Sequence, residues 1–207
     1  MEQPLFSVLI LGIPERWIGI GRLLKKLESQ IKKDNLSGKV EILCLLDNKI
    51  QTIAEKRNCL LKQAKGRYLA FLDDDDDISD QYFHSICSSI IENKDVDVIS
   101  FKQFCRINGK KLLVSFNLNN PHEGLTLLNQ EEYKPIKRPP YHICVWKTDL
   151  AQSEEFKQVY AENGQSCEDI DWCMRLYPKC RSSFQIDSFL HFYNYSEETT
   201  RSKLKQK

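Results

Sequence analysis

No apolar run in this chain approaches the roughly 20 residues needed to cross a bilayer. The stretch nearest the N-terminus, Phe6 to Leu11, is far too short to span, and it lacks the basic flank and cleavage site of a secretion signal. Neither sign of charge dominates: 30 Lys and Arg stand against 29 Asp and Glu, for a net charge of +1. That balance gives no general case for nucleic acid or for an acidic surface as partner. The eight cysteines form no C-x-x-C pair, and several fall on apolar faces. They read as reduced core thiols of a cytoplasmic protein rather than as disulfides or zinc ligands. There is no internal repeat, and no low-complexity segment apart from one run of aspartates. At 207 residues the chain has room for one large domain or two small ones, with a sizeable core.

What is present centres on that run. Tyr68 to Leu72 is a short continuous apolar segment, the pattern of a strand buried on both faces. It opens directly into five carboxylates, Asp73 to Asp77. In an open α/β sheet, ligands bind beyond the carboxyl ends of the strands. Two ionised carboxylates about 5 Å apart repel by about 3 kcal/mol at an effective dielectric near 20. Five in a row therefore call for a cation, for protonation, or for splaying into water. The first choice makes Asp73 to Asp76 a site for Mg²⁺ or Mn²⁺, hard ions that bind carboxylate oxygens and phosphate together. The competing reading is a solvated loop with helix caps. On that reading Ser79 caps a helix whose apolar stripe is Phe83, Ile86, Cys87, Ile90 and Ile91, and Asp77 and Asp80 are helix-start residues. Capping accounts for one or two acids, so it is assigned to Asp77 and Asp80 only.

Upstream, Phe6 to Leu11 reads as a first strand, followed by the turn Gly12-Ile13-Pro14-Glu15-Arg16. A helix follows with Ile20, Leu23, Leu24, Leu27 and Ile31 on one face. Val40 to Leu46 reads as a second buried strand ending on Asp47, which completes a βαβ unit. The next helix, about Thr52 to Lys65, places Arg57 on the same stripe as Ile53, Leu60, Leu61 and Ala64. A guanidinium there needs a partner, because burying it unpaired is costly. The partner is either Asp47 or one of the aspartates, or an anionic ligand such as a diphosphate, with Lys56 beside it.

Downstream, Val96 to Phe101 reads as another strand, and Asn108-Gly109 as a type I′ hairpin turn. Residues Asn117 to Pro140 read as a long surface segment of the kind that forms lids or binding loops. Tyr141 to Trp146 is a short apolar stretch containing His142. Ser166 to Leu176 reads as a helix, with Ser166 and Asp169 spaced as a capping box. Phe184 to Tyr195 reads as an aromatic-rich strand containing His191. From Ser196 the chain is expected to be a frayed basic tail.

Three features occur in fixed order: a strand ending in Asp47; A-E-K-R-N followed by K-G-R-Y-L-A-F-L-D-D-D-D; and C-E-D-I-D-W-C-M-R-L. Together they resemble the family-2 glycosyltransferases, over about Phe6 to Tyr195. The resemblance implies the glycosyltransferase-A fold, a single α/β domain over 1–195. Its mostly parallel central sheet is flanked by helices, with a small antiparallel hairpin in the C-terminal half. Residues up to about 100 would form the nucleotide-binding half, and about 101–195 the acceptor and catalytic-base half. Carried over by position, Asp47 resembles the acid that binds the nucleotide's base, and Arg57 with Lys56 the group that faces its diphosphate. Asp73 and Asp75 match the D-x-D, with Asp75 as the direct metal ligand. Asp169 resembles the catalytic base, with Glu168 beside it, and His191 the late histidine near metal or diphosphate. The first strand departs from the family's P-T-Y-N-R ending, and Arg16 is the residue available to take over contacts there. The activity implied is inverting sugar transfer, dependent on Mn²⁺ or Mg²⁺. The donor would be a nucleotide sugar of the UDP type, and the acceptor a glycan, a lipid-linked group or a protein. Neither a nucleic-acid partner nor a membrane-spanning segment is expected.

Three rivals share parts of this pattern. A phosphatase of the haloacid-dehalogenase type wants Thr or Val where Asp77 stands. A nucleotidyltransferase making nucleotide sugars wants a glycine-rich basic loop that Gly12 to Arg16 does not supply. A catalytically silent metal- or glycan-binding domain of the same fold would not need the Glu168-Asp169 pair.

Overall fold

A computed structural model describes residues 2–93, 95–121, 131–162 and 164–195. The first strand, β1 (Phe6–Gly12), is buried along its whole length. It lies between β2 (Val40–Leu46) and β3 (Tyr68–Asp73), parallel to both. The register sets Gly12 beside Leu46 and Leu11 beside Asp73. The turn after β1, Asp47 after β2 and the aspartates after β3 therefore leave the sheet along one edge. β2 is not the fully buried strand its apolar sequence suggests. It is the outer strand of the sheet, half-buried, with Leu46 exposed.

Two helices cross between these strands. α1 (Trp17–Lys33) buries Ile20, Leu23 and Leu27, as the spacing predicts. α2 (Ile53–Gln63) starts at a capping box, in which Thr52 Oγ1 accepts from the Glu55 amide and Glu55 Oε2 from the Thr52 amide. Gly66 then allows β3 to enter against β1. Its amide donates to Ser7 Oγ at 2.7 Å, and a Cβ there would stand 2.6 Å from the Ser7 amide nitrogen.

Past β3 the chain forms a two-residue strand, β4 (Asp77–Ile78), before α3 (Tyr82–Glu92). Ser79 is not the cap of α3. The Gln30 side chain reaches across from α1, accepting from the Phe83 amide at 3.0 Å and donating to the Ser79 carbonyl at 2.9 Å. Asp77 and Asp80 likewise do not start the helix; both face Lys26, at 3.2 and 3.4 Å.

The second half contributes β5 (Val98–Ile107), β6 (Lys110–Phe116), β7 (Pro135–Arg138), β8 (Val145–Lys147), α4 (Thr148–Ala151), α5 (Glu168–Leu176) and β9 (Ser183–Tyr195). β5 and β6 turn at Asn108 and Gly109, with φ of 48° and 85°, the type I′ geometry. β8 runs antiparallel to both β3 and β5 and joins the two halves into one mixed sheet, ordered β2-β1-β3-β8-β5-β6-β7. β9 pairs with β5 in parallel and with β4 in antiparallel, which sets His191 opposite Ile78. Of the long segment expected from Asn117 to Pro140, β7 occupies Pro135–Arg138, and 122–130 lie outside the described residues. The tail from Ser196 also lies outside them. All eight cysteines are free thiols, and four are buried. Among the described residues no helix is long and apolar enough to cross a membrane.

Candidate active site

The end of β3 is held by α2. Arg57 is 3 % exposed, with its guanidinium carbon 5.1 Å from the Phe71 ring centre and 5.7 Å from that of Phe156. Aromatic faces make burial of the cation tolerable. Its Nη2 donates to Asp73 Oδ1 and its Nε to Glu168 Oε1, each at 3.2 Å. Of the acids expected from the sequence, Asp73 is the partner found; Asp47 pairs with Lys56 instead, and Glu168 is a partner the sequence does not suggest. The third nitrogen, Nη1, is buried with no hydrogen-bond partner among the described residues.

The aspartates fan out to different partners. Asp74 accepts from Arg16 Nη1 at 2.7 Å and from the Ile13 amide at 3.2 Å, while Asp75 Oδ2 lies 2.9 Å from the same Nη1. Gly19, in the first turn of α1, lets the helix approach this turn: a Cβ there would meet the Asp74 carbonyl oxygen at 2.9 Å. Asp76 is buried with Oδ2 3.0 Å from His191 Nε2, and the His191 Nδ1 lies 3.0 Å from Gln103 Nε2. His191 therefore stands behind Asp76, fully buried.

These environments separate the carboxyls. Burial, with Asp76 alongside and Arg16 opposing, pushes Asp75 up to about 7. Burial also raises Asp74 and Asp76. At Asp73 burial acts in the same direction, but Arg57 and then His142 hold the carboxyl well below the usual range. One turn of backbone therefore presents an ionised acid beside acids that resist ionisation without further positive charge.

Opposite, α5 begins with Glu168 and Asp169. The expected capping box does not form. Ser166 Oγ, which accepts from Gln158, donates to Glu168 Oε2 at 2.5 Å instead. Asp169 Oδ1 accepts from the Ile170 amide at 2.7 Å, and Oδ2 from the Tyr141 hydroxyl at 2.6 Å. His142, 3 % exposed, stands between the two acidic groups. Its Nδ1 is 3.4 Å from Asp169 Oδ2 and its Nε2 3.6 Å from Asp73 Oδ2.

Arg16, Lys56, Arg57, Asp73, Asp75, Glu168 and Asp169 line one cleft of about 230 Å³. Asp47 adjoins it through Lys56, whose Nζ is 2.6 Å from Asp47 Oδ1 and 3.2 Å from the Gly12 carbonyl oxygen. Sequence reasoning did not single out Tyr141 and His142 as site residues. They sit in the loop before a three-residue strand, where periodicity carries no signal. The available clue was Pro139-Pro140, which fixes the backbone immediately ahead of them.

Among the described residues no three His, Cys, Asp or Glu side chains form a cluster able to hold a metal by themselves. Mg²⁺-type sites ask for less, one or two carboxylates completed by phosphate oxygens and water. The donor set here fits that pattern: all-oxygen and rich in acid, with a buried Asp76 oxygen and the buried Arg57 Nη1 both lacking a hydrogen-bond partner among the described residues.

A mixed sheet with an acid turn at its edge and a second acid pair facing it makes one acid-lined cleft beyond the ends of the strands. Residues 22–158 match the family described as Glycosyl transferase family 2, and the chain belongs to that family. A 35-residue segment is 57% identical to the E. coli UDP-Glc:alpha-D-GlcNAc-diphosphoundecaprenol beta-1,3-glucosyltransferase WfaP, covering 17% of this chain and 14% of that protein. The fold is similar to the crystal structure of S. aureus TarS 1-349 in complex with UDP-GlcNAc, with a TM-score of 0.63 at 18% identity over 93% of this chain and 59% of that one. Its complex with UDP gives 0.59 at 19% identity, over 93% and 61%. The chain thus spans less than two thirds of the length of each of these relatives.

Proposed function

We propose that this chain moves a sugar from a UDP-sugar to an acceptor hydroxyl, with inversion, in a reaction that depends on Mn²⁺ or Mg²⁺. The carrying observation is Arg57, buried in the cleft wall between Asp73 and Glu168 with its Nη1 amino group left without a partner among the described residues. A guanidinium fork with a spare donor suits a diphosphate. Residues up to about 100 hold the donor: Asp47 and Arg16 toward the nucleoside, Lys56 and Arg57 toward the diphosphate. Residues from about 101 to 195 supply the base and the acceptor side. Asp73 and Asp75 would hold the metal, with His191 steadying Asp76 behind them, and the bound ion would neutralise charge on the leaving diphosphate.

The acceptor oxygen attacks the anomeric carbon, the bond from that carbon to the diphosphate oxygen breaks, and UDP leaves with the electron pair. Asp169 takes the acceptor's proton. Arg57 meets the charge that develops on the departing phosphate. The name of WfaP and the TarS complexes support a UDP-hexose donor, and WfaP supports a lipid-linked acceptor.

The test is a thermal-shift screen of nucleoside diphosphates and nucleotide sugars with and without Mn²⁺, followed by turnover assays. UDP and UDP-sugars are expected to stabilise the protein only when metal is present. Asp75→Asn should abolish that shift, whereas Asp169→Asn should keep it and lose transfer. Binding without turnover in the wild-type protein would point to the silent domain instead.

A further inference from the structure

We propose that Tyr141 is a positioning residue for Asp169, a role that rests on the reading of Asp169 as the base. The Tyr141 hydroxyl donates to Asp169 Oδ2 at 2.6 Å, and this is the one side-chain hydrogen bond the carboxylate receives among the described residues. The other oxygen, Oδ1, accepts only the Ile170 amide among the described residues, from its own helix. A carboxylate held by its own first turn alone is free to rotate about its last torsion, which is broad for an sp³–sp² bond. The phenol removes that freedom from the adjacent loop.

The phenol is itself well fixed. The Arg138 guanidinium carbon lies 5.0 Å from the Tyr141 ring centre, and the His142 ring centre 4.5 Å away. The Tyr141 backbone is pinned too: its carbonyl accepts from Trp146 Nε1 at 2.9 Å, and Trp146 belongs to the strand that joins the two halves of the sheet. Burial, with Asp169 adding to it, raises the phenol well above its ordinary value, so it stays a donor. The groups facing Asp169 are then Tyr141 and His142 from the loop, Arg57 from α2, and Glu168 and Cys173 on α5. Of these, Tyr141 alone makes a short, directed hydrogen bond to a carboxylate oxygen. With Oδ2 held by the phenol, the carboxylate keeps a single orientation in the wall of the cleft that it lines.

Tyr141→Phe keeps the ring and removes only the hydroxyl, so it tests this role without emptying the core. Hydrogen bonds to charged groups support an effect of about ten- to hundred-fold on a rate that depends on them. Wild type, Tyr141→Phe, Asp169→Asn and the double variant would be assayed with Mn²⁺ for UDP release from UDP-glucose and UDP-N-acetylglucosamine. Water, and a synthetic lipid-diphosphate-linked N-acetylglucosamine, would serve as acceptors. The expected result is a kcat for Tyr141→Phe lower by about ten-fold or more, with the donor KM and the UDP-induced thermal shift unchanged. Added to Asp169→Asn, the same change should have no further effect. A wild-type kcat in Tyr141→Phe, or a loss accompanied by a weaker UDP shift, overturns the proposal while leaving Asp169 as base. Full turnover by Asp169→Asn, or no turnover by wild type with any pair, overturns the underlying reading itself.

Discussion

At the scale of single residues, the cleft is built by pairing each buried charge across elements. Lys56 is buried to 1 % exposure, and its partner Asp47 comes from the end of the neighbouring strand. The Asp47 carboxyl feels some desolvation, but the Lys56 hydrogen bond and the Gln51 amide together hold it below its ordinary 3.8. A carboxyl depressed in the folded state contributes stability that is fully present above the unfolded value and is lost as pH falls through the lower folded one. Asp47→Asn should therefore lower the melting temperature at pH 7, leaving Lys56 buried beside a neutral amide. The gap between variant and wild type should close as the pH is taken below 3.8. Melting curves of the two proteins from pH 7 down to pH 3 provide the check, and a gap as wide at pH 3 as at pH 7 would mean that the ion pair contributes nothing.

At the scale of elements, α1 shows how its position constrains its composition. Gly19 and Gly21 sit two residues apart in the same helix, and helix propensity alone favours Ala at both by about 1 kcal/mol. The tertiary surroundings separate them. A Cβ at Gly21 meets nothing within 4 Å, whereas one at Gly19 runs into the Asp74 carbonyl, a backbone atom that cannot turn aside. Gly21→Ala should stabilise by about 0.5–1 kcal/mol. Gly19→Ala should destabilise, and it should weaken the Mn²⁺-dependent UDP shift by displacing the aspartate turn. Urea unfolding of the two variants, run with the UDP screen, separates these outcomes.

The same scale explains what could be read from the sequence. Where one element carries both its packing face and its chemistry, as β3 does with Tyr68 to Asp73, or α2 with Arg57, the pattern was legible. Where partners come from distant elements it was not. Gln30 takes the capping role expected of Ser79, and Ser166 turns from the helix amides to Glu168. β2 looks buried by composition, yet its place at the rim of the sheet follows from strand order, which no local pattern encodes. Tyr141 and His142 reach the site only because three residues of β8 fix the loop that carries them.

At the scale of the molecule, the short strand β8 has the largest consequence. Through Trp146 it is paired at once with Leu69 of β3 and Val98 of β5, and one continuous set of ladders runs from β2 to β7. The two halves cannot swing about a hinge without breaking a central ladder, so any closing over a bound donor falls to side chains and loop backbone. Small-angle scattering with and without UDP and Mn²⁺ should then give superimposable profiles, and a measurable contraction would show that the sheet is not the rigid spine described here. On the proposed function, the reach between the leaving phosphate and the incoming hydroxyl would be built in when the chain folds, and an acceptor of the wrong span would be refused by a fixed gauge rather than by a failure to trigger movement.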